Sequence, residues 1–190
     1  IGGYSEKQIM PQEKLVNVPD GVSDEIASCI VLKGITAEYL LHRSYVAKKG
    51  DKVLFHAAAG GVGQILCQWA NAIGCTVIGT VGSKEKEAIA KNNGCHHVIN
   101  YTNNNFVEEV EKIVGKYGND VVYDGVGTKT FEGSIECLKI RGMMVAFGNA
   151  SGYVNTIDVK KHINTKGLFF TRPSIAHYTV TRKELEDSAK

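Results

Sequence analysis

Short apolar runs alternate with helical patterns along the chain after residue 51. The runs are rich in Val, Ile and Phe, and their apolar residues are consecutive rather than alternating. Consecutive apolar residues indicate strands that are buried on both faces, as in a parallel sheet covered by helices. Six strands are predicted, at residues 52–57, 76–81, 97–101, 120–126, 142–148 and 167–172. The pattern therefore predicts an α/β fold with a doubly wound, parallel six-stranded sheet.

The clearest helical pattern follows the first predicted strand. Between Val62 and Ile73 the apolar residues recur at helical spacing and form one face. Trp69 belongs to this face, and we expect it to be a core anchor against the sheet.

Two short helices are predicted before the first strand. Ser23 is a suitable N-cap for a helix that runs to about Leu32, and Thr36 is suitable for a second one. We expect Gly34 to separate the two.

The stretch HAAAGGVG, residues 56–63, joins the first predicted strand to the clearest helix. Gly60 and Gly63 match the second and third glycines of the GxGxxG dinucleotide fingerprint, whereas Ala58 replaces the first. A helix N-terminus presents unpaired N–H groups and a positive dipole end, so a pyrophosphate needs no side-chain cation there. By itself the turn fits close strand-helix packing equally well. The flanking strand and helix favour dinucleotide binding.

The residues after the second predicted strand indicate which dinucleotide. An NAD site has a carboxylate about twenty residues beyond the glycines, but Thr80, Val81 and Gly82 supply none. Ser83 and Lys86 instead begin the next helix, where a hydroxyl, backbone N–H groups and an ammonium can hold a 2′-phosphate. This pattern favours NADPH. The alternative is that residues 84–87 form only a neutral, solvated helix turn.

Composition excludes several other classes. Lys and Arg total 22 and Asp and Glu total 20, a net charge of +2, so no basic surface for nucleic acid is indicated. The uncharged stretch 53–83 contains glycines and amides and changes period, which argues against a membrane span. The five cysteines lack metal-ligand spacing, and we interpret them as reduced and mostly buried, as in a cytoplasmic protein. Neither the cysteines nor the six histidines predict a metal site, and His56 is interpreted as a strand residue with a satisfied ring.

Several linked motifs together resemble one known family. They are residues 54–86, LFHAAAGGVGQILCQWANAIGCTVIGTVGSKEK, followed by VINY, VVYDGVG, FGNASG and TRPS. The chain resembles the zinc-free NADPH:quinone oxidoreductases, the zeta-crystallin-like branch of the medium-chain dehydrogenase/reductase superfamily. AxxGGVG is the usual loop in that family, so Ala58 fits it, whereas Gly125 departs from a serine common among bacterial relatives.

The resemblance implies a set of cofactor-binding residues in a Rossmann-like domain. The implied contacts are Gly60, Gly61 and Val62 at the pyrophosphate; Gly82, Ser83, Lys86 and Tyr101 around the 2′-phosphate and adenosine; Thr36, Phe147, Gly148 and Asn149 toward the pyrophosphate and nicotinamide; and Phe170, Thr171 and Arg172 near the nicotinamide. Tyr101 also fits a strand-end aromatic half-buried in the core. No catalytic acid is identified.

The same resemblance implies the domain organisation. Residues 1–31 correspond to the end of an N-terminal, GroES-like, mostly β catalytic domain, 32–172 to the NADP-binding Rossmann domain, and 173–190 to the start of a return to the first domain. The two ends of the chain suggest a piece of a longer protein. We therefore expect it to bind cofactor but to catalyse weakly or not at all alone.

The implied reaction is hydride transfer from NADPH to a quinone or a similar electrophilic alkene, in a cytoplasmic homodimer joined through the nucleotide-binding domain. Two alternatives stay open at this point. One is an enoyl or alcohol oxidoreductase of the same superfamily, and the other is a non-catalytic, crystallin-like protein that binds NADPH or RNA.

Overall fold

A computed structural model describes residues 3–190, and its centre is a six-stranded parallel sheet. The strands are β1 (Lys52–His56), β2 (Thr76–Val81), β3 (His97–Asn100), β4 (Asn119–Asp124), β5 (Leu138–Ala146) and β6 (Phe169–Thr171). Their spatial order is β3-β2-β1-β4-β5-β6, and every pair of neighbours is parallel. The predicted α/β fold, with its six strands and doubly wound sheet, is confirmed.

Helices cover the sheet on both sides. They are α1 (Asp24–Tyr39), α2 (Gly61–Ile73), α3 (Lys84–Asn92), α4 (Phe106–Val114), α5 (Phe131–Cys137), α6 (Ile175–Tyr178) and α7 (Arg182–Ser188). A 3-10 turn spans Gln12–Lys14, and π-helical turns span Leu40–Ser44 and Val159–Asn164.

The core has two apolar layers, one on each face of the sheet. Along β1, Val53 and Phe55 pack on the side of α1 and α2, whereas Leu54 packs on the side of α4 and α5. This alternation is the two-residue period of a strand, and it explains why Val53, Leu54 and Phe55 are consecutive apolar residues.

The prediction of two short helices before the first strand is wrong. Ser23 does cap α1, since its side chain accepts a hydrogen bond from the N–H of Ile26, but the helix continues through Gly34 to Tyr39. A Cβ at Gly34 would meet only Ile30 Cγ1, at 3.7 Å, so nothing local requires a break. Thr36 lies inside the helix and donates to the carbonyl of Leu32 at 2.7 Å instead of capping a new one.

The position predicted for Trp69 is also wrong. Leu66, Cys67 and Ala70 are the fully buried residues of α2 in the core, whereas Trp69 is 38% exposed. Its indole packs edge-on against the His42 ring, with the ring centroids 4.9 Å apart. Trp69 therefore lies on the flank of the helix, beside the π-helical turn, and Leu66, Cys67 and Ala70 fill the contact with the sheet.

Candidate functional site

The candidate site lies at the carboxyl ends of the strands, where the strand order reverses. β1 pairs with β2 on one side and with β4 on the other, so the chain winds away from it in both directions. In open α/β sheets, ligands bind in the crevice outside this switch point. The turn HAAAGGVG leaves the end of β1 at that crevice.

The turn presents the N-terminus of α2 to the crevice. Gly60 is the N-cap, and no side chain caps the helix there. The Gly60 N–H donates to the carbonyl of Ala57 at 2.9 Å, which closes the turn, while Gly61 and Val62 begin the helix. The first N–H groups of a helix have no partner within it, so this end is suited to an anion.

Gly61 and Gly63 differ in what an added Cβ would meet. A Cβ at Gly63 would lie 2.5 Å from the carbonyl oxygen of Ala58 and 2.7 Å from that of Ala57. A Cβ at Gly61 would meet only the side chain of Lys33, with Cε at 2.5 Å. Gly63 therefore permits close packing of the helix on the turn, whereas at Gly61 the flexible side chain of Lys33 lies over the start of the helix.

A buried polar network lies beneath the turn. His56 Nδ1 lies 2.8 Å from Thr80 Oγ1, and His56 Nε2 lies 3.0 Å from Ser134 Oγ. Ser134 Oγ lies 3.2 Å from Asp124 Oδ2, which also accepts a hydrogen bond from Thr130 Oγ1 at 2.7 Å. Burial lowers the pKa of His56, and the Asp124 carboxylate raises it in part. The ring is therefore neutral, and both of its nitrogens are satisfied as expected.

The other Asp124 oxygen fixes the turn after β4. Asp124 Oδ1 accepts hydrogen bonds from the backbone N–H groups of Val126, at 2.7 Å, and Gly127, at 3.0 Å. The network thus links the two turns that leave β1 and β4, the strands next to the switch point.

The residues predicted for the adenosine end come together at the end of β2. Gly82 follows β2, Ser83 is the N-cap of α3, and Lys86 is exposed in the first turn of that helix. A Cβ at Gly82 would lie 2.6 Å from the Tyr101 hydroxyl, so the Tyr101 side chain packs directly over Gly82. Tyr101 is 46% exposed, and its ring borders the crevice instead of filling the core.

The loop after β5 packs against the turn after β4. The N–H groups of Phe147 and Gly148 donate to the carbonyl of Asp124 at 2.9 and 3.2 Å. A Cβ at Gly148 would lie 2.4 Å from the carbonyl oxygen of Gly125, while Asn149 lies further along the same loop. Phe147, Gly148 and Asn149 are all partly exposed at this edge.

The remaining predicted site residues lie farther along the sheet edge or on α1. Burial raises the pKa of Tyr39, and its neighbours Thr36 and Arg172 lower that pKa in part. Thr36 and Arg172 therefore both lie near Tyr39. Thr171 pairs with Val145 at the end of β6. Phe170 packs on the face covered by α4 and α5, with its ring 6.2 Å from that of Phe131.

Sequence reasoning did not find the polar support beneath the site. Thr80, Asp124 and Ser134 are buried with at most 1% exposure, and they contact His56 or its partners. The available signal was polar residues inside otherwise apolar strands, because a buried polar group requires a hydrogen-bonding partner.

The arrangement fits a dinucleotide. A helix end with two glycines is suited to the pyrophosphate of NADPH. The end of β2, where residues 80–82 carry no carboxylate and Ser83 and Lys86 follow with a hydroxyl and an ammonium, is suited to the phosphorylated ribose, and Glu85 and Glu87 lie in the same first turn of α3. Within residues 3–190, no three His, Cys, Asp or Glu side chains are grouped so that they could hold a metal ion.

Comparison with known proteins identifies relatives over the whole chain. A 2-haloacrylate reductase from Burkholderia sp is 46% identical over 193 residues, which cover 100% of this chain and 58% of that protein. A quinone oxidoreductase from Salmonella typhimurium is 46% identical over 190 residues, with the same two coverages. The chain thus spans little more than half the length of these relatives.

A solved structure shows the same fold. The crystal structure of Escherichia coli quinone oxidoreductase complexed with NADPH matches with a TM-score of 0.88 and 46% identity, covering 93% of this chain and 54% of that one. The family model described as "Zinc-binding dehydrogenase" matches residues 61–189. The chain therefore belongs to the zinc-binding dehydrogenase family, within the medium-chain dehydrogenase/reductase superfamily.

Proposed function

We propose that this chain is the nucleotide-binding part of an NADPH-dependent quinone oxidoreductase. The observation that carries the proposal is the pairing of an uncapped α2 N-terminus with an end of β2 where residues 80–82 supply no carboxylate and Ser83, Lys86 and Tyr101 supply polar groups. Glu85 and Glu87 lie in the same first turn of α3 as Lys86. Relatives at 42% to 46% identity named quinone oxidoreductase support it, as does the NADPH-complexed structure of one such enzyme.

The residues of the chain bind and orient the cofactor. The N–H groups at Gly61 and Val62 hold the pyrophosphate, while Ser83 and Lys86 hold the 2′-phosphate beside Tyr101. The loop 147–149 borders the nicotinamide side, at the carboxyl end of β5. When bound, NADPH supplies a hydride to a quinone or a similar electrophilic alkene.

The Lys86→Ala variant tests the choice of cofactor. If the ammonium contacts the 2′-phosphate, the dissociation constant for NADPH rises by about 10-fold to 100-fold, the loss expected for a charge-assisted hydrogen bond. The constant for NADH stays within about twofold, because NADH lacks that phosphate. Fluorescence titration of the chain with both cofactors measures this, and Lys91→Ala, in the last turn of α3, is the matched control.

Equal losses for NADPH and NADH would contradict the role of Lys86, and failure of the unaltered chain to bind either dinucleotide would contradict the proposed function. Turnover is a separate matter, because the chain spans little more than half of its relatives. We expect oxidation of NADPH by 1,4-benzoquinone to be slow with this chain alone.

The 46% sequence identity with a 2-haloacrylate reductase favours a second candidate function, the reduction of an electron-poor alkene at the same site. The hydride donor and its binding residues are the same in both cases. Oxidation of NADPH measured side by side with 1,4-benzoquinone and 2-chloroacrylate separates the two. A preference for chloroacrylate would favour the second candidate.

We also infer three features of the whole protein. The chain divides near residues 31 and 172 between a catalytic domain and the Rossmann domain. Two copies pair through β6, whose outer edge is the end of the sheet and carries the 57% exposed Phe169. The five free cysteines support a cytoplasmic location.

A further inference from the structure

Ala57, between β1 and the glycine turn, has an unusual backbone conformation. Its φ angle is +62°, in the left-handed region that residues with a Cβ rarely adopt. Such a conformation persists only where the surrounding structure holds it in place. The contacts on either side of Ala57 therefore determine whether the turn keeps its shape.

One residue of β2 holds both neighbours of Ala57. The carbonyl of Thr80 accepts a hydrogen bond from the N–H of Ala58 at 3.0 Å. The hydroxyl of Thr80 lies 2.8 Å from Nδ1 of His56, the residue directly opposite it in the β1-β2 register. Thr80 and His56 are both fully buried, so water does not replace these contacts.

The hydrogen-bond directions along this network are determined by its members. Asp124 is an acceptor, and the Ser134 hydroxyl donates to it or to the carbonyl of Thr130. The Ser134 oxygen then accepts from His56 Nε2–H, which leaves Nδ1 of the neutral ring to accept from the Thr80 hydroxyl. The His56 ring is thus held from both sides.

The position of the Ala57 carbonyl directly affects the N-terminus of α2. Its carbonyl accepts the Gly60 N–H at 2.9 Å, and the position of a Cβ on Gly63 lies 2.7 Å from the same oxygen. A rotation of Ala57 out of the left-handed region moves this carbonyl, and with it the N-cap of α2.

We propose that Thr80 and His56 are positioning residues that hold Ala57 in the left-handed conformation and so fix the pyrophosphate-binding turn. This inference rests on the proposed binding of a nicotinamide dinucleotide. It predicts equal effects on NADPH and NADH, because both carry the same pyrophosphate.

The decisive experiment combines Thr80→Val with Ala57→Gly. Thr80→Val removes the hydroxyl while keeping the shape, and it raises the dissociation constants of NADPH and NADH alike by about tenfold, in line with the release of one strained residue. Thr80→Ser, which keeps the hydroxyl, binds both cofactors within about twofold of the unaltered chain. In the double variant, glycine adopts the left-handed conformation without strain, and most of the lost affinity returns.

The controls separate positioning from a general loss of stability. Tyr123→Phe also removes a buried hydrogen bond, from the Tyr123 hydroxyl to the carbonyl of Leu40 at 3.0 Å, on the neighbouring strand β4. It lowers the melting temperature without changing either dissociation constant, and Ala57→Gly has no effect on binding in that background. If Thr80→Val does not fold, His56→Gln with and without Ala57→Gly provides the same comparison.

Two results would overturn the inference: a folded Thr80→Val chain that binds both cofactors as the unaltered chain does, or an Ala57→Gly change that leaves its affinity loss in place. Failure of the unaltered chain to bind either cofactor would instead overturn the proposed function.

Discussion

Gly61 and Gly63 occupy neighbouring positions in one turn, yet they differ in what a methyl group would meet. At Gly63 the methyl meets two backbone carbonyl oxygens that cannot move independently of β1 and the turn. At Gly61 it meets the far end of a flexible lysine side chain. The first position is constrained by the fold, whereas at the second only a flexible side chain must move.

The variants Gly63→Ala and Gly61→Ala should therefore behave differently. We expect Gly63→Ala to lower the free energy of unfolding by about 1 to 3 kcal/mol, as overpacking does. Gly61→Ala should leave stability nearly unchanged and weaken NADPH binding about tenfold, because the methyl stands where the pyrophosphate approaches the backbone. Urea unfolding and NADPH titration measure the two effects, and a Gly63→Ala chain as stable as the unaltered one would contradict the assignment.

His56 gives a pH dependence of stability with a definite sign. Its pKa in the folded chain lies below the ordinary value of 6.5, so below that pH the unfolded chain takes up a proton that the folded chain does not. The contribution of the neutral His56 to the free energy of unfolding is fully present above about pH 6.5. It falls as the pH is lowered, by at most about 1.4 kcal/mol for each pH unit.

Urea unfolding of His56→Gln and the unaltered chain at pH 7.5 and pH 5.5 tests this. The stability advantage of the unaltered chain should shrink at the lower pH, because glutamine does not titrate. His97→Gln, at the exposed start of β3, is the control. An advantage that is the same at both pH values would argue against a buried neutral ring.

Among the elements, α1 shows how a tertiary setting overrides a local signal. Glycine disfavours a helix interior by about 0.5 to 1 kcal/mol relative to alanine, which is too little to stop a helix that is held by packing. The second half of α1 buries Ile35, Ala37 and Tyr39 in the core, and this packing carries the helix past Gly34.

Gly34→Ala should consequently stabilise the chain by about 0.5 to 1 kcal/mol. Its new methyl group makes only an ordinary contact, with Ile30, in a helical backbone. The opposite result is expected for Gly74→Ala at the end of α2, where φ is +94°. Thermal unfolding of both variants provides the measurement, and a Gly34→Ala chain that melts earlier would show that the helix is strained there.

At the scale of the whole molecule, β6 leaves one edge of the sheet without a partner strand among residues 3–190. If two copies pair there, Phe169→Lys puts a charge into the interface, and the variant should be monomeric where the unaltered chain is dimeric. Light scattering coupled to gel filtration measures the mass, with Val180→Lys, 70% exposed outside the sheet, as the control. Equal masses for the unaltered chain and Phe169→Lys would contradict pairing through β6.

The architecture could be predicted because its signals are local. Most strands contain a short run of apolar residues, and the glycine turn with its flanking strand and helix is contiguous in sequence. The start of β5 at Leu138 was missed, since Lys139 and Arg141 interrupt the apolar pattern and Arg141 has a φ of +61°. The left-handed conformation of Ala57 could not be predicted from local sequence. Thr80, which we propose holds it, lies 24 residues after His56 in sequence and opposite it in the sheet.

The order in which the chain is synthesised gives the His56 network a consequence for folding. His56 and Ser134 are separated by 78 positions in sequence, and β4, which carries Asp124, also follows late. At ribosomal rates of about 5 to 20 residues per second, roughly 4 to 16 seconds pass between the synthesis of His56 and that of its hydroxyl partner Ser134. Until β4 is synthesised, β1 has no partner strand on that side, and the nascent sheet exposes this edge of β1. Until β4 has docked, this unpaired edge offers its N–H and C=O groups for pairing with another chain.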